Sequence, residues 1–314
     1  MKKIALLIGL AAAGLAQTNP FLGRWDLTIT PQNGGDYPGW MEITSKDGKL
    51  EGRYQPRGGS WRPLVAAKVE NGHLLATVQG AGRGPEVNWD FTGAGDKLSG
   101  VEKRGGAAGA SIAAMRAPEL KRPMPKSWSD AVPLFNGKDL TGWEPIGNAQ
   151  NNKWVARDGE LVNDNPPPAE GTARGPGAAN LKTTGKYQDF KLHIEVNCPE
   201  HGNSGIYLRG RYEIQVGTEG GTQPTHEMGA VYSHFPPMGN IGNKLGQWTA
   251  FDITLVGRYV TVYRDGIKIH DNVEIPGPTG GALDSNEGEP GPFFLQGDHV
   301  GVIRYRNIRV QTAQ

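Results

Sequence analysis

An all-β protein is what the composition and patterning of this chain call for. Gly 47 and Pro 23 in 314 residues supply turns at high density, and 8 Trp argue against disorder. Short runs of alternating apolar and polar residues recur at the roughly 8–12-residue spacing of sheet proteins, bounded by Gly, Asn and Asp. Convincing helical periodicity is scarce. The expected architecture is a small antiparallel β-barrel or sandwich domain followed by a larger jelly-roll sandwich.

The opening residues, MKKIALLIGLAAAGLAQ, read as an export signal. Lys2 and Lys3 precede the apolar run Ile4 to Leu15, and Gly14 and Ala16 stand at the cleavage position. The run is shorter than the ~20 apolar residues that a membrane-crossing helix needs, so no membrane span is expected. Residues 1–16 are thus expected to be removed and the protein to work in the periplasm or beyond. Cys198 is the only cysteine, so no internal disulfide supports the exported fold, and its thiol is expected to be a small core group.

Residues 17–117 carry the strand-like runs RWDLTIT, GWMEITSK, KLEGRYQ, LVAAKVE, HLLATVQG, EVNWDFTG and KLSGVEKR. The turns KDG, ENG and GAGD between them use Gly and Asn for positive φ. Trp25, Trp40, Trp61 and Trp89 are expected to form the core of this domain, the alternative being a sugar-stacking platform. The opening FLGRWDLTI is similar to lipocalin-like barrels, in which a Gly-x-Trp closes one end.

Residues 118–131, with Pro118, Pro123 and Pro125, read as a semi-rigid linker. From 132 to 314 the strand runs resume: KWVARDGELV, FKLHIEVN, SGIYLRG, YEIQVG, GAVYS, TAFDITLVG, YVTVYRDGIKIHDN and VGVIRYRNIRVQ. That many strands suggests two packed antiparallel sheets. In the last run Val300, Val302, Tyr305 and Ile308 are expected to share a face opposite Arg304, Arg306 and Arg309. Lys plus Arg total 33 and Asp plus Glu 32, so no global field favours nucleic acid. The chain has no phosphate-binding Gly loop before a helix, no metal-finger spacing and no nucleophile elbow, so no nucleotide cofactor is expected.

The stretch NSGIYLRGRYEIQV concentrates polar groups on alternate positions. If Ile206–Leu208 and Tyr212–Ile214 pair across a three-residue RGR loop, position 207 faces 213 and 205 faces 215. The polar set by alternate positions is Asn203, Gly205, Tyr207, Arg209, Glu213 and Gln215, and Tyr207, Glu213 and Gln215 then share one face, with Gly205 leaving room for a ligand. A two-residue turn would split the polar set between faces. Glu213 and Gln215 offer hard oxygens for a divalent cation or for sugar hydroxyls. Arg209 suits a sugar oxygen or a developing anion. The alternative is a solvated face with Glu213 paired to Arg211.

A second group is LQGDHVG. There His299 is a candidate general base or metal ligand, Gln296 could orient hydroxyls, and Asp298 could fix the His299 tautomer. The alternative is a polar turn between strands. In HEMGAVY, His226 and Glu227 are candidates for a groove rim and Tyr232 alternates with Ala230 on a strand, against a plain surface loop.

In order, PLFNGKDLTGW, W…DGELV, YQDFKLHIE, NSGIYLRG, YEIQV, GAVY, GQW…ITLVG, TVYRDG and FFLQGDHVGVIRYRNIRV resemble the 3-keto-disaccharide hydrolase domain over residues 132–310. Thr249 stands where that family usually has Asn, and His226 and Glu227 fall in a segment that varies. The resemblance implies a concanavalin A-like jelly roll with its ligand in a concave groove. It implies lyase or hydratase action on 3-keto-glucosides, and for some members a divalent metal such as Mn, Mg or Ca. A ketone at carbon 3 acidifies the carbon 2 hydrogen, and the aglycone on carbon 1 lies β to that ketone. Proton removal followed by loss of the aglycone is then an elimination.

On this reading His299 and Glu213 are the catalytic groups, and Glu213, Gln215 and His299 the metal ligands. Asn203, Tyr207, Arg209, Gln296, Tyr232 and His226 would hold the sugar. Two other readings stay open. One is a carbohydrate-binding module without turnover. The other is a two-carboxylate glycosidase, which needs paired acids ~5–10 Å apart, and Glu213 has no evident acidic partner at a matching strand position.

Overall fold

The computed structural model describes residues 19–80, 84–168, 177–217, 223–239 and 241–314. The export signal lies outside these residues. Only strands and two short 3-10 turns, Ala149–Asn151 and Pro224–His226, occur among the described residues. No described helix is long and apolar enough to cross a membrane.

The first unit is a closed eight-stranded antiparallel barrel. Its strands are Gly23–Thr30, Tyr37–Lys46, Lys49–Tyr54, Ala66–Glu70, His73–Val78, Val87–Ala94, Lys97–Arg104 and Ala107–Arg116. Neighbours in sequence pair as a meander, and the first strand closes the ring on the last, with Trp25 opposite Arg116. Closure leaves no open edge. Alternate residues point inward, so Trp25, Leu27, Ile29, Met41, Ile43, Leu74, Phe91 and Ile112 form one core. Each such fully buried side chain contributes about 1.5–3 kcal/mol by leaving water.

Trp25 Nε1 donates to Phe21 O at 2.9 Å, and the Arg116 guanidinium covers the ring at 4.2 Å. The closing strand Ala107–Arg116 was not expected from its Ala- and Gly-rich sequence, which lacks the β-branched residues of good strand formers.

The second unit is a two-sheet sandwich. One sheet runs, in spatial order, Trp154–Arg157, Glu160–Asn165, Gly301–Thr312, Phe190–Asn197, Trp248–Val256, Tyr259–Arg264 and Ile267–Glu274, with Val132–Pro133 added on the Gly301–Thr312 strand. The facing sheet runs Trp143–Ile146, Asn180–Thr183, Phe294–Leu295, Asn203–Leu208 and Tyr212–Gly217. A second core fills the space between, including Trp154, Leu192, Ile206, Ile214, Phe251 and Tyr305. Cys198 is fully buried there, and burial pushes its thiol up to about 12, so it is a small core group.

One expectation fails by phase. In the last strand Ile303, Tyr305, Ile308 and Val310 are the buried set, and Val302 faces outward with Arg304. Asn307 adopts φ 52°, which inserts a bulge and shifts the alternation between Tyr305 and Ile308.

The connector is docked on the sandwich. Arg258 N donates to Leu120 O at 3.0 Å, Arg258 Nη2 to Pro118 O at 2.7 Å, and Arg122 pairs with Asp189 at 3.2 Å. Barrel and sandwich also meet directly. Trp40, fully buried, donates Nε1 to Pro278 O at 2.9 Å, and the Arg24 guanidinium donates to Pro276 O. Asp26 and Glu287 face each other across the seam with no solvent around them, and Asp26 is pushed up to about 10 by burial and by the neighbouring carboxylate. Tyr212 donates its hydroxyl to Glu287 Oε1 at 2.6 Å, and Arg258 Nε lies 3.2 Å from the same oxygen.

Candidate functional site

The candidate site is the outer face of the five-stranded sheet. Register builds it as a line across the strands: Glu144 opposite Lys182, Lys182 opposite Phe294, Phe294 opposite Tyr207, and Tyr207 opposite Glu213. The flanking residues Trp143, Leu181, Leu295, Ile206 and Ile214 point the other way, into the core. The hairpin carrying this line has the expected three-residue loop, with Leu208 paired to Tyr212 and Gly205 to Gln215. The row runs from an exposed Glu144–Lys182 ion pair of 3.0 Å to full burial at Tyr207 and Glu213.

Within that row, Phe294 stacks on Tyr207 with centroids 4.0 Å apart and planes 14° from parallel. Tyr207 donates its hydroxyl to Glu213 Oε2 at 2.7 Å. Burial and the Glu213 carboxylate raise the Tyr207 phenol well above its ordinary range, so it stays a donor. The Thr279 hydroxyl accepts from Glu213 N at 3.2 Å, and Gly281 packs so closely on the Tyr207 hydroxyl that any Cβ there would collide. The room above Gly205 is taken by the Glu213 carboxylate itself, not left for a ligand.

A second row lies beside the first. Gln296 N donates to Gly205 O at 3.0 Å, and Gln215 Nε2 donates to Asn203 Oδ1 at 2.8 Å. Ser204 Oγ donates to Gln296 O, and the Tyr305 hydroxyl reaches Ser204 Oγ, both at 2.6 Å, so the core anchors Gln296 from behind. Gln296 Oε1 is buried with no hydrogen-bond partner among the described residues. An orphaned acceptor of this kind marks a place where a ligand hydroxyl or water fits.

The edge of the Tyr212–Gly217 strand is covered by residues 229–232. Gly229 N donates to Gln215 O, Gln215 N to Ala230 O, and Tyr232 N to Glu213 O at 3.0 Å. Tyr232 thereby stands next to Glu213 on the same face, and the His226 ring stacks on it at 4.6 Å and 17°. GAVYS makes single bridges there rather than the expected strand. Glu227 is exposed.

Asn203, Tyr207, Glu213, Gln215 and Gln296 are therefore brought together, with Tyr232 and His226 at their side. Arg209 is not. The strand ends at Leu208, and Arg209 takes φ 53° in the loop, which breaks the alternation. Its side chain is fully buried, with Nη2 donating to Gly257 O at 2.7 Å and to the Tyr212 hydroxyl at 3.2 Å. The solvated-face alternative also fails, because Glu213 is buried and Arg211 pairs with Asp284 at 2.7 Å instead.

The His299 side chain is 39% exposed. Its Nε2 lies 3.7 Å from Asp298 Oδ1, too far for the hydrogen bond that would fix a tautomer. Asp298 is close enough to act electrostatically on Tyr207. A hard divalent cation wants six or more oxygens, several of them anionic. Among the described residues no point gathers three or more His, Cys, Asp or Glu. Glu213 and Gln215 contribute one carboxylate and one amide oxygen, which do not by themselves complete such a set.

Phe294, Lys182 and Thr279 belong to this face and went unnoticed in the sequence. The strands Asn180–Thr183 and Phe294–Leu295 are too short to show alternation. Thr279 sits in a Gly/Pro loop whose path only the fold reveals.

No curated protein matches the chain. Among solved structures, it is similar to a candidate glycosyl hydrolase from Parabacteroides distasonis, at 29% identity over 61% of this chain and 93% of that one, TM-score 0.47. A second candidate glycosyl hydrolase of that organism matches at 17% identity over 61% and 100%, TM-score 0.46. Carbohydrate binding module CBM66 from Bacillus subtilis matches at 12% identity over 55% and 97%, TM-score 0.31. These likenesses are loose. The family match is not: residues 130–311 match the 3-keto-alpha-glucoside-1,2-lyase-like domain, and the chain belongs to that carbohydrate-active family.

Proposed function

We propose that this protein cleaves 3-keto-glycosides by elimination, with Glu213 as the base. The observation that carries the reading is a carboxylate held by a phenol on the polar face of a domain of this family. In the reaction Glu213 takes the carbon 2 proton, and the electron pair left behind is delocalised onto the carbon 3 oxygen as an enolate. Collapse of the enolate forms a double bond between carbons 1 and 2 and expels the aglycone oxygen, which takes up a proton. Water added across that double bond completes a net hydrolysis. A well-placed general base contributes ~10²–10⁴-fold.

The Tyr207 hydroxyl donates to Glu213 Oε2 and so orients the carboxylate. The Asn203 amide, whose Oδ1 is taken by Gln215, offers its Nδ2 to the sugar, and Tyr232 and Gln296 would hold hydroxyls beside it. One such donor at the enolate oxygen can be worth ~3 kcal/mol. Export to the periplasm, read from Lys2 to Ala16, belongs to this proposal, since 3-keto-glycosides would then be met outside the cytoplasm.

The test is release of 4-nitrophenol from 4-nitrophenyl 3-keto-glucoside and from the unoxidised glucoside, each with and without EDTA. Release from the keto sugar alone is expected. Release from the unoxidised sugar alone would make the protein a glycosidase, and binding without release a carbohydrate-binding module. Loss of activity in EDTA would add a metal that the described residues do not complete.

A further inference from the structure

The family domain begins at residue 130, so the barrel lies outside it, yet the barrel reaches the site. We propose that the barrel loop Gln55–Trp61 is a wall of the sugar site, with Ser60 as a positioning residue for His226 and, through His226, for Tyr232. This inference rests on the elimination reading for the identity of the sugar.

The contacts form a chain from barrel to base. Ser60 Oγ lies 2.8 Å from His226 Nε2, across 166 residues of sequence. Next to it Trp61 N donates to Ser233 Oγ at 3.1 Å. The His226 ring lies flat on Tyr232, and Tyr232 N donates to Glu213 O at 3.0 Å. The loop is itself shaped to deliver Ser60. Gln55, with 1% exposure, donates Nε2 to Gly59 O at 2.8 Å and to Pro56 O at 3.2 Å. Gly280 packs against the Gly59 backbone with no space for a Cβ, which ties the loop to the segment carrying Thr279 and Gly281 over Glu213 and Tyr207.

His226 ends a 3-10 turn of three residues, Pro224–His226, and is half-buried. Whichever group is the donor, the contact with Ser60 directs Nε2 to the barrel and so turns the Nδ1 edge the other way. Trp61 belongs to the same loop. Of the four barrel tryptophans, Trp25 and Trp89 lie in the barrel core and Trp40 at the seam, whereas Trp61 is half-buried with Arg53 5.4 Å from its ring.

The experiment uses the full chain and three variants: Ser60→Ala, Ser60→Thr and His226→Ala, with Ser60→Ala also combined with His226→Ala. With 4-nitrophenyl 3-keto-glucoside, Ser60→Ala is expected to raise KM about fivefold, the equivalent of one hydrogen bond of ~1 kcal/mol, with kcat within about twofold. Ser60→Thr keeps the hydroxyl and restores KM. In the His226→Ala background, Ser60→Ala adds nothing, because the residue it acts through is gone. An unchanged KM in Ser60→Ala, or a full effect persisting without His226, overturns the proposal. A lowered Tm with unchanged KM does the same, since that is the mark of a merely structural contact. If the wild-type protein releases no 4-nitrophenol, the elimination reading fails separately. Titration calorimetry with unoxidised 4-nitrophenyl glucoside then decides the wall: a Kd raised by Ser60→Ala supports it, and an equal Kd or no binding overturns it.

Discussion

Gly205→Ala is a one-methyl test of whether Glu213 is the reacting group. An ideal Cβ at position 205 would overlap Glu213 Oε1 and lie 2.9 Å from both its Cδ and its Cγ. Ordinary contact between such atoms needs about 3.5 Å, so the carboxylate must retreat by at least ~0.5 Å. The backbone has no room to absorb this, because Gly205 is paired on both sides, to Gln215 and through its carbonyl to Gln296 N. A misplacement of about 1 Å at a reacting group can cost ~100-fold in rate, so a fall in kcat of about 10- to 100-fold is expected. The added methyl should also cost about 1–3 kcal/mol of stability through overpacking, visible as a lower Tm without loss of the fold. The assay is steady-state release of aglycone from 4-nitrophenyl 3-keto-glucoside, alongside a thermal melt, for Gly205→Ala, Glu213→Gln and the double variant. If Glu213 is the base, the double variant is no slower than Glu213→Gln alone. Full activity in a folded Gly205→Ala protein, or a further loss on top of Glu213→Gln, would refute the assignment.

Two other variants probe His299 and the seam. His299→Ala is expected to lower kcat/KM by less than about tenfold with an unchanged Tm, because its half-exposed ring makes no tautomer-fixing bond; a general base would lose ~10²–10⁴-fold. Asp26→Asn should stabilise the protein at neutral pH. A carboxyl raised from 3.8 to about 10 takes up a proton on folding, so its cost is absent below pH 3.8 and grows as pH rises towards 10. At pH 7 that is up to about 4 kcal/mol, and Asn, with no acidic proton to lose, removes it. Denaturant melts at pH 5, 7 and 9 should show the wild type losing stability relative to Asp26→Asn as pH rises. Parallel slopes would show that Asp26 is ionised in the folded state.

The legible part of this protein is what hydrogen-bonded register decides locally. The three-residue loop after Leu208 is enough to put Tyr207 beside Glu213 and Gly205 beside Gln215, and alternation then separates Ile206 and Ile214 from the polar set. Where the backbone leaves the extended region, the same reasoning fails. Arg209 at φ 53° turns away from the face that strict alternation would give it, and Asn307 at φ 52° reverses the phase of the last strand. Neither residue is glycine, so composition gave no warning. The other failures are of range rather than conformation. Ala107–Arg116 pairs with Gly23–Thr30 to close a ring, and its small side chains suit positions around Trp25 and Phe91 rather than advertising a strand. Ser60 and His226 meet only because two independently cored units dock through Trp40, Pro278 and Gly280. A site built on one sheet can be read from one stretch of chain, but the wall that another unit lends to it cannot. That is why Glu213 was visible in the sequence as a candidate and Ser60 was not.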